Sequence, residues 1–167
     1  MSSIPEWLVP PGQSYLTADE RAQLDALFAH LAPADLKRSM PGAVDAGGFV
    51  DNLLACPPAV YWEIAEWRRL YRDGLAALER HSQQIHGRPL VQLDDCRVNE
   101  LLRLLEAGRL DGLPPDVGQT ALFKTLRRHC IQACFADPRW HGDRDQLLWG
   151  ASGYVRSPAN LLGRPAG

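Results

Sequence analysis

From Pro58 to Gly87, the positions Val60, Ile64, Trp67, Tyr71, Leu75, Leu78, Ser82 and Ile85 recur every three or four residues. That step matches the turn of an α-helix, so the apolar side chains fall on one stripe of a helix of about 28 residues, with Pro58 suited to its first turn. Gly87 ends it. A helix of this length with one apolar stripe needs other elements to cover it, and it is the expected spine of the domain. No stretch of the chain shows the alternation of a half-buried strand, so the covering elements are helices as well.

Their start and stop signals are plain. Thr17-Ala-Asp-Glu20 has the pattern of a capping box, and Leu24, Leu27, Phe28 and Leu31 follow at helical spacing up to Pro33. Pro33 to Gly42 is a loop of proline and glycine breakers. Val44 to Ala55 is a short helix with Phe49, Val50, Leu53 and Leu54 apolar, its early part weakened by Gly47-Gly48. Asp94 or Asp95 opens a further helix with Val98, Leu101, Leu102 and Leu105 inside, and Gly108 is placed to end it in left-handed geometry. Asp116 and Gln119 again look like a capping box, ahead of an apolar face made by Phe123, Leu126, Cys130, Ala133 and Cys134. A last short helix runs from Asp143 to Trp149. The expectation is an all-α single domain of about six helices over residues 16–154, with an extended N-terminal arm, 1–15, and a Gly- and Pro-rich C-terminal tail, 155–167.

A chain of 167 residues suffices for one core. Its net charge of -2 and sequence pI near 6.2 give no basic field, which argues against nucleic acid as a partner. The N-terminus has no secretory-signal pattern, and no apolar run approaches the roughly 20 residues that span a bilayer. These features point to a cytoplasmic chain without membrane insertion, one that reaches the periplasm only alongside a signal-bearing partner. Four scattered cysteines, Cys56, Cys96, Cys130 and Cys134, do not make a disulfide scaffold. They are expected as thiols, with one joined pair at most.

Candidate chemistry is sparse. Cys130 and Cys134 are four apart, near His129 and His141, a spacing that can place two metal ligands on one helix face. Both cysteines also fall on the apolar stripe, where a thiol behaves as a small buried hydrophobe, and that is the preferred reading. The five histidines, His30, His81, His86, His129 and His141, form no ligand motif and are expected in solvated or capping roles. Glu63 and Glu66, followed by Arg68, Arg69 and Arg72, read as an exposed ion-pair face. No glycine pattern cradles a phosphate, and Ser152 lacks the nucleophile-elbow sequence. Trp67 and Tyr71 belong to the core. The segment from Phe135 to Tyr154 is dense in aromatics and in turn-forming residues: Pro138 disfavours helix at Asp137, Gly142 accepts positive φ and Asp143 can cap. It has the makings of a shaped docking surface, with Trp140 as its main anchor.

Several blocks, in order, carry a resemblance. They are Leu16-Thr-Ala-Asp-Glu20, Pro33-Ala-Asp35, Pro41-Gly-Ala43 leading to Phe49-Val-Asp51, Tyr71-Arg-Asp-Gly-Leu-Ala-Ala-Leu78, and Phe135-Ala-Asp-Pro138 through Trp149 to Gly153-Tyr154. Together they resemble the family of gluconate 2-dehydrogenase subunit 3, the small subunit of flavin-dependent sugar and sugar-acid dehydrogenases. The resemblance implies a helical subunit with no catalytic, cofactor or metal residues of its own. Its implied partner is a large FAD-containing subunit of the glucose-methanol-choline type, with a cytochrome c subunit in some assemblies. The small subunit is then a stabilising or maturing partner in a hetero-oligomer, with Phe135, Asp137, Pro138, Arg139, Trp140, His141, Trp149 and Tyr154 as its docking residues. His141-Gly142-Asp143 and Val155 depart from the Gly-Gly-Asn and Pro common in the family, and the twin-arginine signal of many relatives is missing here. Two alternatives stay open: a dissociable maturation or export chaperone, and a stand-alone enzyme with a metal on Cys130, Cys134 and His141.

Overall fold

The computed structural model describes residues 14–32, 45–59, 61–113 and 117–135. Among them are α1 (Ala18–Leu31), α2 (Ala46–Ala55), α3 (Ile64–His86), α4 (Asp95–Glu106) and α5 (Gln119–Phe135), with one 3-10 turn, Leu90–Gln92, and no strand. The all-α class holds. Of the six expected helices, the one from Asp143 to Trp149 lies outside the described residues, as do most of the arm and the whole tail.

α1 starts as its sequence dictates. Thr17 Oγ1 accepts from the Glu20 N–H at 3.2 Å, and Glu20 Oε2 accepts from the Thr17 N–H at 2.8 Å, so both halves of the capping box form. α2 starts at Ala46, two residues later than expected, because the Asp45 carboxylate takes the cap position. It accepts from the Gly48 N–H at 2.9 Å and also binds the Arg21 guanidinium of α1. The start of the shorter helix is thereby tied to its neighbour.

α3 is shorter than its stripe implies: it begins at Ile64, six residues after Pro58. The cause is tertiary. Arg68 donates from Nε to the Leu54 carbonyl at 2.8 Å and from Nη2 to the Cys56 carbonyl at 3.0 Å, which binds the end of α2 to the first turns of α3. A helix running from Pro58 would carry Arg68 about 15 Å along its axis and away from Cys56. At the other end, Ile85 leaves the stripe and is 61% exposed, while Ser82 is buried and donates to the Arg88 carbonyl at 2.7 Å.

α4 buries Val98, Leu101, Leu102 and Leu105 as expected. It ends with Gly108 at φ 65°, where the Arg109 N–H donates to the Leu104 carbonyl at 2.9 Å and the Gly108 N–H to the Leu105 carbonyl at 3.1 Å. That is the Schellman arrangement, which glycine enters without strain. α5 starts at Gln119, and the expected capping box with Asp116 does not use Gln119. Its side-chain amide instead exchanges two hydrogen bonds of 2.9 Å with the backbone of Leu110. Asp116 itself lies outside the described residues.

The long helix is not the sole spine. α1 and α5 each pack against all the other α-helices. They enclose a core with Leu24, Leu27, Leu54, Ile64, Leu75, Leu78, Leu105, Leu122 and Leu126 fully buried. α3 and α5 approach closely at Gly74, where an added Cβ would stand 2.6 Å from Leu122 Cδ2. That contact sets the seam in which the next features lie.

Candidate functional site

Among the described residues Asp51, His81, Ser82 and His129 are buried polar side chains, and two of them tie the parts of the core together. The first is Asp51 on α2, on the face that also buries Val50 and Leu54. Its Oδ1 accepts from the backbone N–H groups of Tyr15 at 2.7 Å and Leu16 at 2.8 Å, and its Oδ2 accepts from Ser14 Oγ at 2.7 Å. The end of the N-terminal arm is thus clasped. Arg68 and Arg72 of α3 lie over the Tyr15 ring at 4.8 and 5.3 Å from its centroid, and Arg72 Nη2 donates to the Tyr15 hydroxyl at 2.9 Å. These arginines therefore hold the arm and the end of α2. The expected exposed ion-pair face with Glu63 and Glu66 is not what they form.

The second is His129 on α5, fully buried, with Nδ1 3.0 Å from the hydroxyl of the equally buried Tyr71. His129 Nε2 has no hydrogen-bond partner. The arrangement selects a tautomer. If the Tyr71 O–H donates to Nδ1, only the Nε2–H is left without a partner; the reverse assignment would strand the phenol proton as well. Burial, then the neighbouring Arg128 charge, push the His129 pKa down from 6.5 to about 3, so the ring is neutral. Burial likewise holds the Tyr71 phenol well above its ordinary value.

Around this pair runs an aromatic file that reaches the surface. His129 meets Trp67 edge-on with centroids 4.6 Å apart, and Tyr61 lies 5.3 Å from Trp67 and 6.3 Å from Trp62. Arg128 sits over the Trp67 ring at 5.1 Å and pairs with Glu63 at 3.7 Å. The Glu63 carboxylate beside the Tyr61 phenol is the main cause of that group's raised pKa. Beside the file is a shallow cavity of about 240 Å³ lined by Glu63, Glu66, Trp67, Arg69 and Arg128 among others. A general base must reach the proton it removes. His129 has its acceptor nitrogen occupied by Tyr71 and its other nitrogen sealed from solvent, so it serves packing.

The histidine expectation fails at two positions. His129 is core, and His81 is buried with its Nδ1–H donating to the Asp111 carbonyl at 2.9 Å. His30 faces Asp95 at 3.5 Å, and His86 is half-buried beside a groove of about 320 Å³ between α3 and α4. Cys130 and Cys134 are buried on α5, with the Cys134 thiol donating to the Cys130 carbonyl at 3.2 Å. None of the four cysteines is in a disulfide. Among the described residues no three His, Cys, Asp or Glu side chains are grouped to hold a metal ion, and no helix is long and apolar enough to cross a membrane. Of the expected docking residues, Phe135 is the last residue of α5, and Asp137, Pro138, Arg139, Trp140, His141, Trp149 and Tyr154 lie outside the described residues.

The structure thus defines an all-α domain whose buried polar groups lock helices and the arm together. A family model described as Gluconate 2-dehydrogenase subunit 3 matches residues 18–154, and the chain belongs to that family. No curated protein and no solved structure matches it. The motif blocks now have physical roles. Asp51 clasps the arm, and within Tyr71–Leu78 the tyrosine binds His129, Arg72 binds Tyr15 and Gly74 admits Leu122.

Proposed function

We propose that the chain is a non-catalytic small subunit of an FAD-dependent dehydrogenase that oxidises a sugar, sugar acid or alcohol, and that it binds and stabilises or matures the large flavoprotein subunit. The observation that carries this is membership of the subunit 3 family over residues 18–154. The buried polar chemistry supports it, since Asp51 and the Tyr71–His129 pair are engaged in holding helices together. In this reading the large subunit of the glucose-methanol-choline type holds the FAD and the substrate, and a cytochrome c subunit takes the electrons in assemblies that contain one. Phe135, Asp137, Pro138, Arg139, Trp140, His141, Trp149 and Tyr154 supply the docking surface, with the two tryptophans as anchors of the kind that dominate protein interfaces.

Co-expression with the large subunit tests this directly. The small chain, captured through a tag, should bring the flavoprotein with it, and the flavin content of the large subunit should fall several-fold when the small chain is omitted. Recovery of the small chain alone, together with full flavin loading in its absence, overturns the proposal. Size-exclusion of the active enzyme separates a permanent subunit, which co-elutes, from a chaperone, which does not.

A further inference from the structure

The aromatic file leads from the sealed Tyr71–His129 pair through Trp67, which is buried, and Tyr61 to Trp62, which is 75% exposed. Its rings lie 4.6 to 6.3 Å apart, close enough for single electrons to hop between neighbours. Tryptophan and tyrosine are also among the side chains that give up an electron most readily. What stands beside each ring gives the file a direction. The Arg128 guanidinium, 5.1 Å from the Trp67 centroid, favours the neutral ring and opposes a positive charge on it. A phenol that loses an electron must shed its proton at once. For Tyr71 the acceptor is His129 Nδ1, and protonating it would place a cation in the core beside Arg128. For Tyr61 the neighbour is the Glu63 carboxylate, whose protonation removes a charge instead of burying one. Trp62, at the end, stands in water, which stabilises an oxidised ring. An electron vacancy on Trp67 therefore runs outward.

We propose that Trp67, Tyr61 and Trp62 form a relay that carries one-electron oxidation out of the helical core to the surface, with Glu63 as the proton acceptor for Tyr61. The oxidant is an oxygen-centred radical that meets Trp67 at the cavity of about 240 Å³ which that ring helps to line. It takes one electron from Trp67 and leaves as the anion. Tyr61 returns one electron to Trp67 and passes its phenol proton to Glu63. Trp62 then gives one electron to the Tyr61 radical while the proton goes back from Glu63 to the phenol oxygen, so the vacancy rests on the exposed indole. A soluble reductant of the ascorbate class refills it. The net change is one electron moved from reductant to oxidant with every side chain restored, and the Tyr71–His129 bond that joins α3 to α5 is spared.

The relay needs no flavoprotein partner, so its test uses the full chain alone. Cys96, the exposed cysteine, is removed as Cys96→Ala, and a ruthenium photo-oxidant is attached through Thr125→Cys, a position that lines the same cavity as Trp67. A flash in the presence of an electron-accepting quencher generates the oxidant beside Trp67, and the resulting radicals are captured with a spin trap and located by mass spectrometry. The adduct should form chiefly on Trp62. Tyr61→Phe should lower that yield several-fold and raise the oxidation of Trp67, and Glu63→Gln should lower it several-fold, with the helical circular dichroism the same in both. A freely diffusing photo-oxidant, which meets Trp62 directly, should give the same Trp62 yield in all three chains. A tethered yield unchanged by Tyr61→Phe, a first adduct on Trp67 or Tyr71, or a fall that is equal with the free oxidant overturns the relay. A yield unchanged by Glu63→Gln overturns the role of that carboxylate. None of these outcomes bears on co-purification with the large subunit, so the two proposals fail separately.

Discussion

Asp51 and His129 are both polar side chains closed into the same core, and they are satisfied to different degrees. Asp51 accepts three hydrogen bonds, two of them from backbone N–H groups, and every donor comes from residues 14–16. His129 has one partner, Tyr71, and a second nitrogen with none. A carboxylate in a low-dielectric site needs several donors, whereas a neutral imidazole survives with fewer. The Asp51 site is therefore a fixed clasp for the arm. The His129 seam favours the neutral ring, and the exposed Tyr61 and Trp62 lie at the outer end of its aromatic file.

Removing Asp51 is the strongest way to break the contrast. Asp51→Ala strands the N–H groups of Tyr15 and Leu16, and each unpaired donor costs on the order of 1–3 kcal/mol, so a loss of about 3 kcal/mol is expected in urea denaturation. Asp51→Asn should cost less than half of that, because one amide oxygen still serves both N–H groups. Equal losses in the two variants would show that the charge and not the hydrogen bonds holds the arm. On the His129 side, Gly74→Ala drives a methyl group into Leu122 and should cost about 2.5 kcal/mol by overpacking. The double variant Gly74→Ala with Leu122→Ala should cost less than the sum of the two single changes. Additivity would mean that the two residues are not in forced contact.

Local signals carried most of the fold. The capping box of α1, the face of α4 and the left-handed Gly108 are written in a few neighbouring residues, and each formed as expected. What failed was set by distant partners. Arg68 reaching back to Leu54 and Cys56 delays α3 past Pro58, and Gln119 leaves its cap for Leu110, neither of which periodicity can reveal. The buried polar pair was closer to legible. Leu122, Leu126, His129 and Ala133 share one helical stripe, so His129 stands among apolar neighbours although a solvated or capping role was expected of it. Asp51 gave the same signal between Val50 and Leu54. The exposure of Trp62 had none, since a tryptophan in a turn reads the same whether covered or bare. The proposed docking residues after Phe135 lie outside the described residues.

The imidazole makes the contrast measurable by pH. With a folded-state pKa of about 3 against 6.5 when unfolded, His129 favours the folded state in its neutral form. Its contribution is complete above pH 6.5 and is lost as pH falls from 6.5 towards 3, at about 1.4 kcal/mol per unit. Stability should therefore drop by about 2 kcal/mol between pH 6.5 and 5. His129→Gln should flatten that slope, and Asp51→Asn should not. A wild-type slope that survives in His129→Gln would place the titrating group elsewhere.

Tyr71→Phe then separates the hydrogen bond from the burial. It removes the sole partner of Nδ1 and should cost about 1.5 kcal/mol at neutral pH, the usual penalty for one stranded acceptor. The pH slope should persist, because burial is the larger cause of the lowered His129 pKa and the phenyl ring keeps the seam closed. Nitrogen-15 shifts of the wild-type ring should report the Nε2–H tautomer, the one in which Tyr71 donates. An Nδ1–H signal would reverse the bond, leave the Tyr71 proton as a further buried orphan, and make the Tyr71→Phe change nearly neutral.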